Sequence, residues 1–142
     1  MLPEKSPVAS KPAVAPVVFA DVKVALAQGK GLRERDAVLT LAGDHLSLAE
    51  RSGQPPIVSL EYGAIVQAFF ARSKQPKWTG ADGKEVSADV DLGKLGFFRG
   101  ESNWLILITR AEPVFLRFED KDRRAVLAAA EQRIGVSIQT VR

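Results

Sequence analysis

The sequence has 142 residues, with no cysteine and a single histidine, His45. Without cysteine the chain can form no disulfide, no thiolate zinc site and no cysteine nucleophile. A serine-histidine-aspartate triad would have to use His45. That residue follows Gly43-Asp44, and a lone histidine beside a turn is ordinarily an exposed strand residue. We therefore expect a protein that is not an enzyme and that uses neither a metal ion nor a cofactor.

Several sequence motifs are also missing. No glycine-rich dinucleotide motif and no phosphate-loop motif occurs. Four carboxylates fall within one segment, but they do not follow the EF-hand pattern, and Asp82-Gly83 is typical of a turn. No run of about 18 apolar residues occurs, so no membrane-spanning helix is predicted. The four carboxylates are Asp82, Glu85, Asp89 and Asp91.

The sequence also lacks a long segment whose charges are all of one sign. The 20 basic residues are interspersed with 17 acidic ones, for a formal net charge of +3. Nucleic-acid binding normally requires a patch of one sign that displaces counterions from phosphates. The mixed pattern therefore argues against a nucleic-acid partner and is typical of an ordinary soluble surface.

The first 16 residues hold four of the eight prolines, together with alanine, serine and lysine. They lack the continuous apolar core of a signal peptide. We expect residues 1–16 to be a disordered leader or linker rich in proline and alanine, and residues 17–142 to be a single domain. Such a segment often follows a removed signal peptide or joins two domains. Both a cytoplasmic and an extracytoplasmic location therefore stay open.

Alternating apolar and polar residues predict a mainly β domain. The period of two in Val17–Leu26 is that of a half-buried strand. Ala37–Leu41 and His45–Ala49 flank Gly43-Asp44, which suits a type II′ hairpin turn. The buried face expected for the first strand consists of Val18, Ala20, Val22, Val24 and Leu26.

Later segments continue the β pattern. Ala64–Ala71 and Trp104–Ile108 are apolar on both faces, which indicates central strands or a covered second face. Ile57–Tyr62 and Val114–Phe118 predict two further strands. Lys77–Thr79 and the alternating residues 86–92 resemble a hairpin, although little in that part of the sequence requires regular structure.

One helix is predicted after the last of these strands, from Lys121 to Ile134. Asp120 is the expected N-cap, and Gly135 suits the left-handed residue that follows many helices. An apolar stripe is expected to face the core, and Leu127→Asp is expected to unfold the domain by burying a charge. The stripe consists of Val126, Leu127, Ala130 and Ile134. Val136, Ile138 and Val141 predict a short terminal strand.

This order of elements resembles the pleckstrin-homology-like barrel superfamily. The resemblance rests on the Ala37–Ala49 hairpin, Ile57–Ala71, the strands Trp104–Ile108 and Val114–Phe118, and the final helix, and it covers about Val17 to Val136. It implies a barrel or roll of about seven antiparallel strands capped by one C-terminal helix. The sequence is most similar to bacterial members of the superfamily, whose functions are largely unknown.

The resemblance also implies a non-catalytic binding or scaffold module. Partners of such domains commonly dock as a peptide strand on an exposed sheet edge or as a ligand at the loop end, and self-association through an edge also occurs. We therefore expect a protein or peptide partner, or a second copy of the chain. The alternative is peripheral binding to anionic lipid headgroups.

The lipid alternative depends on the segment from residue 28 to residue 36, read as a loop. Lys30, Arg33 and Arg35 fit the loose spacing of basic residues with which pleckstrin-homology domains hold phosphoinositides. Glu34 and Asp36 dilute the positive field, so a solvated loop with local ion pairs is the competing interpretation.

Two further ligand-binding candidates are Lys77, a nearby cation for the same lipid alternative, and Trp78. Trp78 is flanked by polar residues, and with Phe97 and Phe98 it would form an apolar interaction patch. The competing interpretation has these rings cover the far face of the sheet. Trp104, within an apolar strand, is expected in the core.

Overall fold

The computed structural model describes residues 15–28, 31–92 and 100–141. Most of the predicted leader (1–14), Lys30, and the predicted patch members Phe97 and Phe98 lie outside the described residues. The described strands are β1 (Val17–Gln28), β2 (Gly31–Leu41), β3 (His45–Ala49), β4 (Pro56–Glu61), β5 (Ile65–Ser73), β6 (Lys77–Thr79), β7 (Glu85–Ser87), β8 (Val90–Asp91), β9 (Ser102–Thr109), β10 (Val114–Phe118) and β11 (Ile138–Val141). A short 3-10 helix spans Tyr62–Ala64, and the helix α1 spans Asp120–Ile134.

Nine of these strands form one curled sheet. Its order is β11-β5-β9-β10-β1-β2-β3-β4, with β8 attached to the start of β2, while β6 and β7 form a separate hairpin. The prediction of a mainly β, pleckstrin-homology-like fold with one C-terminal helix is confirmed. The sheet is not wholly antiparallel, because β11 pairs in parallel with β5 and β8 in parallel with β2. None of the helices in the described ranges is long and apolar enough to cross a membrane.

The concave side of the sheet holds the first core, in which α1 packs against the strands. Val126 and Ala130 are fully buried and Ile134 nearly so, whereas Leu127 is only half-buried against the same core. Gly135 ends α1 at φ +87°, as predicted. The strand residues buried in the first core include Val22, Val24, Leu39, Leu41, Leu46, Leu48, Leu105, Leu107 and Leu116.

The convex side carries a second core. Trp104 is fully buried there, as predicted, and its Nε1 donates to the Ser73 carbonyl at 3.1 Å. The segment from β6 to Leu92 covers this face, and Val90 and Leu92 are buried in it. The sequence predicted that the strands apolar on both faces would have their second face covered, and the structure shows this cover. The other members of the second core are Ala25, Phe69, Ala71, Ile106 and Phe115.

The buried face of β1 differs from the predicted one in its first half. The four residues from Phe19 to Val22 oppose the three residues of β2 from Ala37 to Leu39, so β1 has one extra residue at this point. An extra residue reverses the alternation of side chains. As a result Val17 and Phe19 pack on the first core, and Val18 is 50 % exposed. After the bulge Val22 and Val24 face the core, as predicted.

Two other expectations need correction. The N-cap of α1 is Glu119, which makes no side-chain capping bond, and Asp120 is the first helical residue. The predicted hairpin strand over residues 86–92 is divided: β7 ends at Ser87, and β8 leaves the hairpin to pair with β2. The division lets Val90 and Leu92 enter the second core.

We expect Val126→Asp to lower the free energy of unfolding by about 4 kcal/mol or more, because it places an unpaired charge in the first core. Ala128→Asp, at an exposed position of the same helix, is the control and should change stability by less than about 1 kcal/mol. Leu127→Asp should fall between them, since Leu127 is half-buried. Urea unfolding followed by circular dichroism measures all three. Equal stabilities of the Val126 and Ala128 variants would contradict this packing of α1.

Candidate functional site

The helix caps one end of the curled sheet. Arg133 near the end of α1 donates from Nη1 to the Leu41 carbonyl at 3.0 Å and from Nη2 to the Ala15 carbonyl at 2.9 Å. Lys121 at its start pairs with Asp21 of β1 at 2.8 Å. These contacts involve the last residue of β2, the first half of β1 and the residue Ala15 just before β1. The opposite ends of β1 and β2 are therefore left without the helix.

An apolar pocket of about 420 Å³ lies at this uncapped end. Its lining comes from the end of β1, the start of β2, β4 and the start of β10. The sheet curls enough for β4 and β10 to line the same pocket, although three strands separate them in the sheet order. The lining residues are Ala25, Leu26, Leu32, Val58, Glu112, Pro113, Val114 and Phe115. We call this cavity the end pocket.

Trp78 lies behind one wall of the end pocket. Its ring packs on Phe115 with centroids 5.4 Å apart and an interplanar angle of 41°. Trp78 is half-buried at the edge of the second core, so it covers the far face of the sheet, in line with the competing interpretation. Its side chain supports the Phe115 wall. A direct contact of Trp78 with a ligand stays a prediction.

The basic residues Arg33 and Arg35 lie on a strand instead of the predicted loop. Gly31 already pairs with Gln28 of β1, so β2 begins at Gly31 and includes both arginines. Arg33 Nε lies 3.5 Å from Asp91, and Arg35 forms an ion pair with Glu50. Both cations therefore have a carboxylate partner. Whether they bind an anionic ligand stays a prediction.

Lys77 and His45 are each paired locally. Lys77 Nζ lies 3.7 Å from Glu85 on the neighbouring strand of its hairpin. His45 Nδ1 lies 2.6 Å from Asp44 Oδ1, and this hydrogen bond holds the pKa of the Asp44 carboxyl below its usual value. The pair sits at the β2–β3 turn, where Gly43 does not have the positive φ that the predicted type II′ turn requires.

Sequence reasoning missed a polar cluster at the start of α1. Asn103 of β9 is 2 % exposed and is the one buried polar side chain among the described residues. Its Nδ2 donates to Asp120 Oδ1 at 2.8 Å and to the Phe118 carbonyl at 3.2 Å. Arg72 Nη1 donates to Asn103 Oδ1 at 3.0 Å and to Asp120 Oδ1 at 2.6 Å. The cluster joins β5, β9, β10 and α1, which is a structural role.

No sequence signal could have identified this cluster, because its members lie far apart in the chain. Arg72 and Asn103 meet through the β5–β9 register, and Asn103 and Phe118 through the β9–β10 register. The end pocket was missed for the same reason. Leu26, Val58 and Val114 fall in predicted strands, but only the curl of the sheet brings these strands together.

We expect the Asp120 contacts to make stability depend on pH in the acid range. Hydrogen bonds from Asn103 and then Arg72 hold the pKa of Asp120 below its ordinary value of 3.8. A carboxylate with a lowered folded-state pKa stabilises the protein above the unfolded-state pKa, and this contribution is lost as the pH falls through the folded-state value. The stability difference between wild type and Asp120→Asn should therefore shrink below about pH 4.

Urea midpoints measured at neutral pH and in the acid range test this expectation. Asp122→Asn, in the same helical turn, is the matched control and should show a smaller dependence. A difference for Asp120→Asn that is constant over the whole range would show that the carboxylate is not held by these bonds.

Comparison with solved structures supports the fold assignment. The chain is similar to a chain in the structure of the Spt16D Pob3N heterodimer, with 11 % sequence identity and a TM-score of 0.55. The match covers 91 % of this chain and 56 % of that one, so the chain spans little more than half the length of its structural neighbour. At this identity the likeness shows the fold alone, which is pleckstrin-homology-like. No protein-family model matches the sequence, and no curated protein does so.

Proposed function

We propose that this chain is a non-catalytic binding module that holds a segment of a partner protein at the uncapped end of its curled sheet. The observation that carries the proposal is the end pocket. An apolar cavity within the range of about 300–1,000 Å³ is typical of binding sites. This one lies on the outside of the domain, where a partner can reach it.

The energetic basis of binding is the apolar surface that stays half-exposed around the pocket. Leu26, Leu32 and Val58 are each half-buried in the isolated chain. Covering apolar surface yields about 25 cal/mol for each Å² removed from water. The helix α1 buries apolar side chains at the opposite end of the sheet. A partner that inserts an apolar group would bury the half-exposed side chains at this end in the same way. The apolar lining is therefore suited to binding.

Two further observations support a protein partner. The structural neighbour was solved as a protein heterodimer. The candidate charges near the end pocket are paired within the chain, Arg33 with Asp91 and Arg35 with Glu50. These ion pairs reduce the positive charge available to anionic lipid, so the lipid alternative has less support. The likeness to bacterial members of the superfamily stays a prediction.

We expect a valine in the pocket to be required for partner capture, and an exposed valine elsewhere to be dispensable. Val58→Glu places a charge in the lining, whereas Val66→Glu changes a residue that is 44 % exposed and lies outside it. In affinity capture from source-cell extract, a protein retained by wild type and by Val66→Glu should be lost with Val58→Glu. Melting temperatures of both variants show that the domain still folds.

Three results would contradict the proposal. One is equal retention of every captured protein by the Val58 and Val66 variants. Another is co-sedimentation with phosphatidylserine vesicles at low salt that is lost when Arg33 and Arg35 are replaced by glutamine, which would favour the lipid alternative. Turnover of a substrate that is abolished by His45→Ala would overturn the non-catalytic assignment.

A further inference from the structure

We propose that the partner segment binds in an extended conformation, pairing as an added strand with the free edge of β4. One of its large apolar side chains enters the end pocket, and a basic side chain lies beside Glu112. This inference rests on the proposed function and specifies the kind of segment that the pocket accepts.

The first step of the argument concerns the edge itself. Among the described strands β4 pairs only with β3, through Leu48↔Val58 and Leu46↔Leu60. On its other side no strand of the described ranges takes up the backbone donors and acceptors, and such an edge is the template that an extended peptide recognises. Pro56 at the start of β4 has no backbone N–H, so donation from this edge begins after it.

The second step connects this edge to the end pocket. Val58 belongs to both, since it is a β4 residue and part of the pocket lining. A residue directly opposite it on an added strand would have its Cβ about 4.5–5.5 Å away, on the same face. That side chain would point over the pocket. Backbone pairing at β4 and apolar insertion are thus satisfied by a single extended segment.

The third step concerns the chemistry of the side chains. Seven of the eight lining residues are apolar, and Glu112 is the exception. An acidic group at an apolar pocket favours an apolar side chain with a cation nearby and disfavours a carboxylate or phosphate headgroup. Residues two apart on a strand share a face. A leucine or phenylalanine with lysine or arginine two residues away fits both requirements.

The opposite edge of the sheet is less suitable. Gln139 and Thr140 of β11 are exposed and polar. The adjoining groove between β11 and α1 measures about 190 Å³, less than half the volume of the end pocket. An added strand there would find no comparable cavity for an apolar side chain, so the β4 edge is the better docking surface.

The experiment uses isotopically labelled full-length chain and short capped peptides. The central residue of the peptides is leucine, phenylalanine or alanine, and the residue two positions further on is lysine or glutamate. Affinity is measured by chemical-shift titration, and amide hydrogen exchange is followed for residues 57–61. We expect the leucine–lysine peptide to slow exchange in β4 and to bind at least about tenfold more tightly than its alanine counterpart.

Two pairs of variants test the pocket and the charge. Val58→Phe fills the pocket and should weaken binding about tenfold or more, whereas the same change at exposed Val66 should not. Glu112→Gln should reduce the preference for lysine over glutamate by up to about fivefold. The control for Glu112→Gln is Glu101→Gln. Glu101 precedes β9 and Glu112 follows it, so the two residues lie at opposite ends of that strand. Because Glu112 is exposed, this variant should fold even if Val58→Phe does not.

The outcomes separate this inference from the proposed function. Shifts confined to the end pocket, with unchanged exchange in β4, would overturn strand addition while keeping the pocket as a binding site. Failure of every peptide to bind would also overturn it, and partner capture that still depends on Val58 would then retain the proposed function. Tighter binding of glutamate than lysine peptides would overturn the assigned charge preference.

Discussion

The architecture depends on β9, the strand at the centre of a group of three that are buried on both faces, with β5 on one side of it and β10 on the other. Leu105 and Leu107 belong to the first core, and Trp104 and Ile106 belong to the second. A strand that is apolar on both sides leaves neither side of its sheet free to face water, so each side needs a cover. The helix α1 provides the concave cover, and the segment from β6 to Leu92 provides the convex one.

The polar end of β9 shows how one cover is anchored. Asn103 immediately precedes the apolar run and bonds Asp120 at the first residue of α1. A buried amide costs about 1–3 kcal/mol if left without a partner, so its bonds specify one position for the helix start. Arg72 completes the arrangement by bonding both side chains. The helix is thus positioned by a directional contact at its start and by apolar packing along its length.

Features that depend on neighbouring residues could be predicted from the sequence, whereas features that depend on the pairing of distant strands could not. The end of α1 at Gly135 and the covered second face of Trp104–Ile108 follow from residue type and period alone. The bulge before Val22 has no such signal, because it depends on pairing with β2. The start of β2 looked like a charged loop, yet Glu34 is nearly buried and pairs across β1 with Arg117 of β10. Contacts between strands determine whether such residues lie in a strand or a loop and whether they are buried. The end pocket also forms only where separate strands meet.

The same cross-strand ion pairs limit what kind of binding surface this domain offers. Lys23 with Asp36 and Arg117 with Glu34 neutralise charge across the convex face of β10, β1 and β2. A surface with paired charges steers a partner weakly over distance, because its field falls off quickly in salt. Affinity must then come from short-range terms, namely apolar burial and backbone pairing. The end pocket and the β4 edge would supply both at one place, which is why we propose that a partner binds at that end of the sheet.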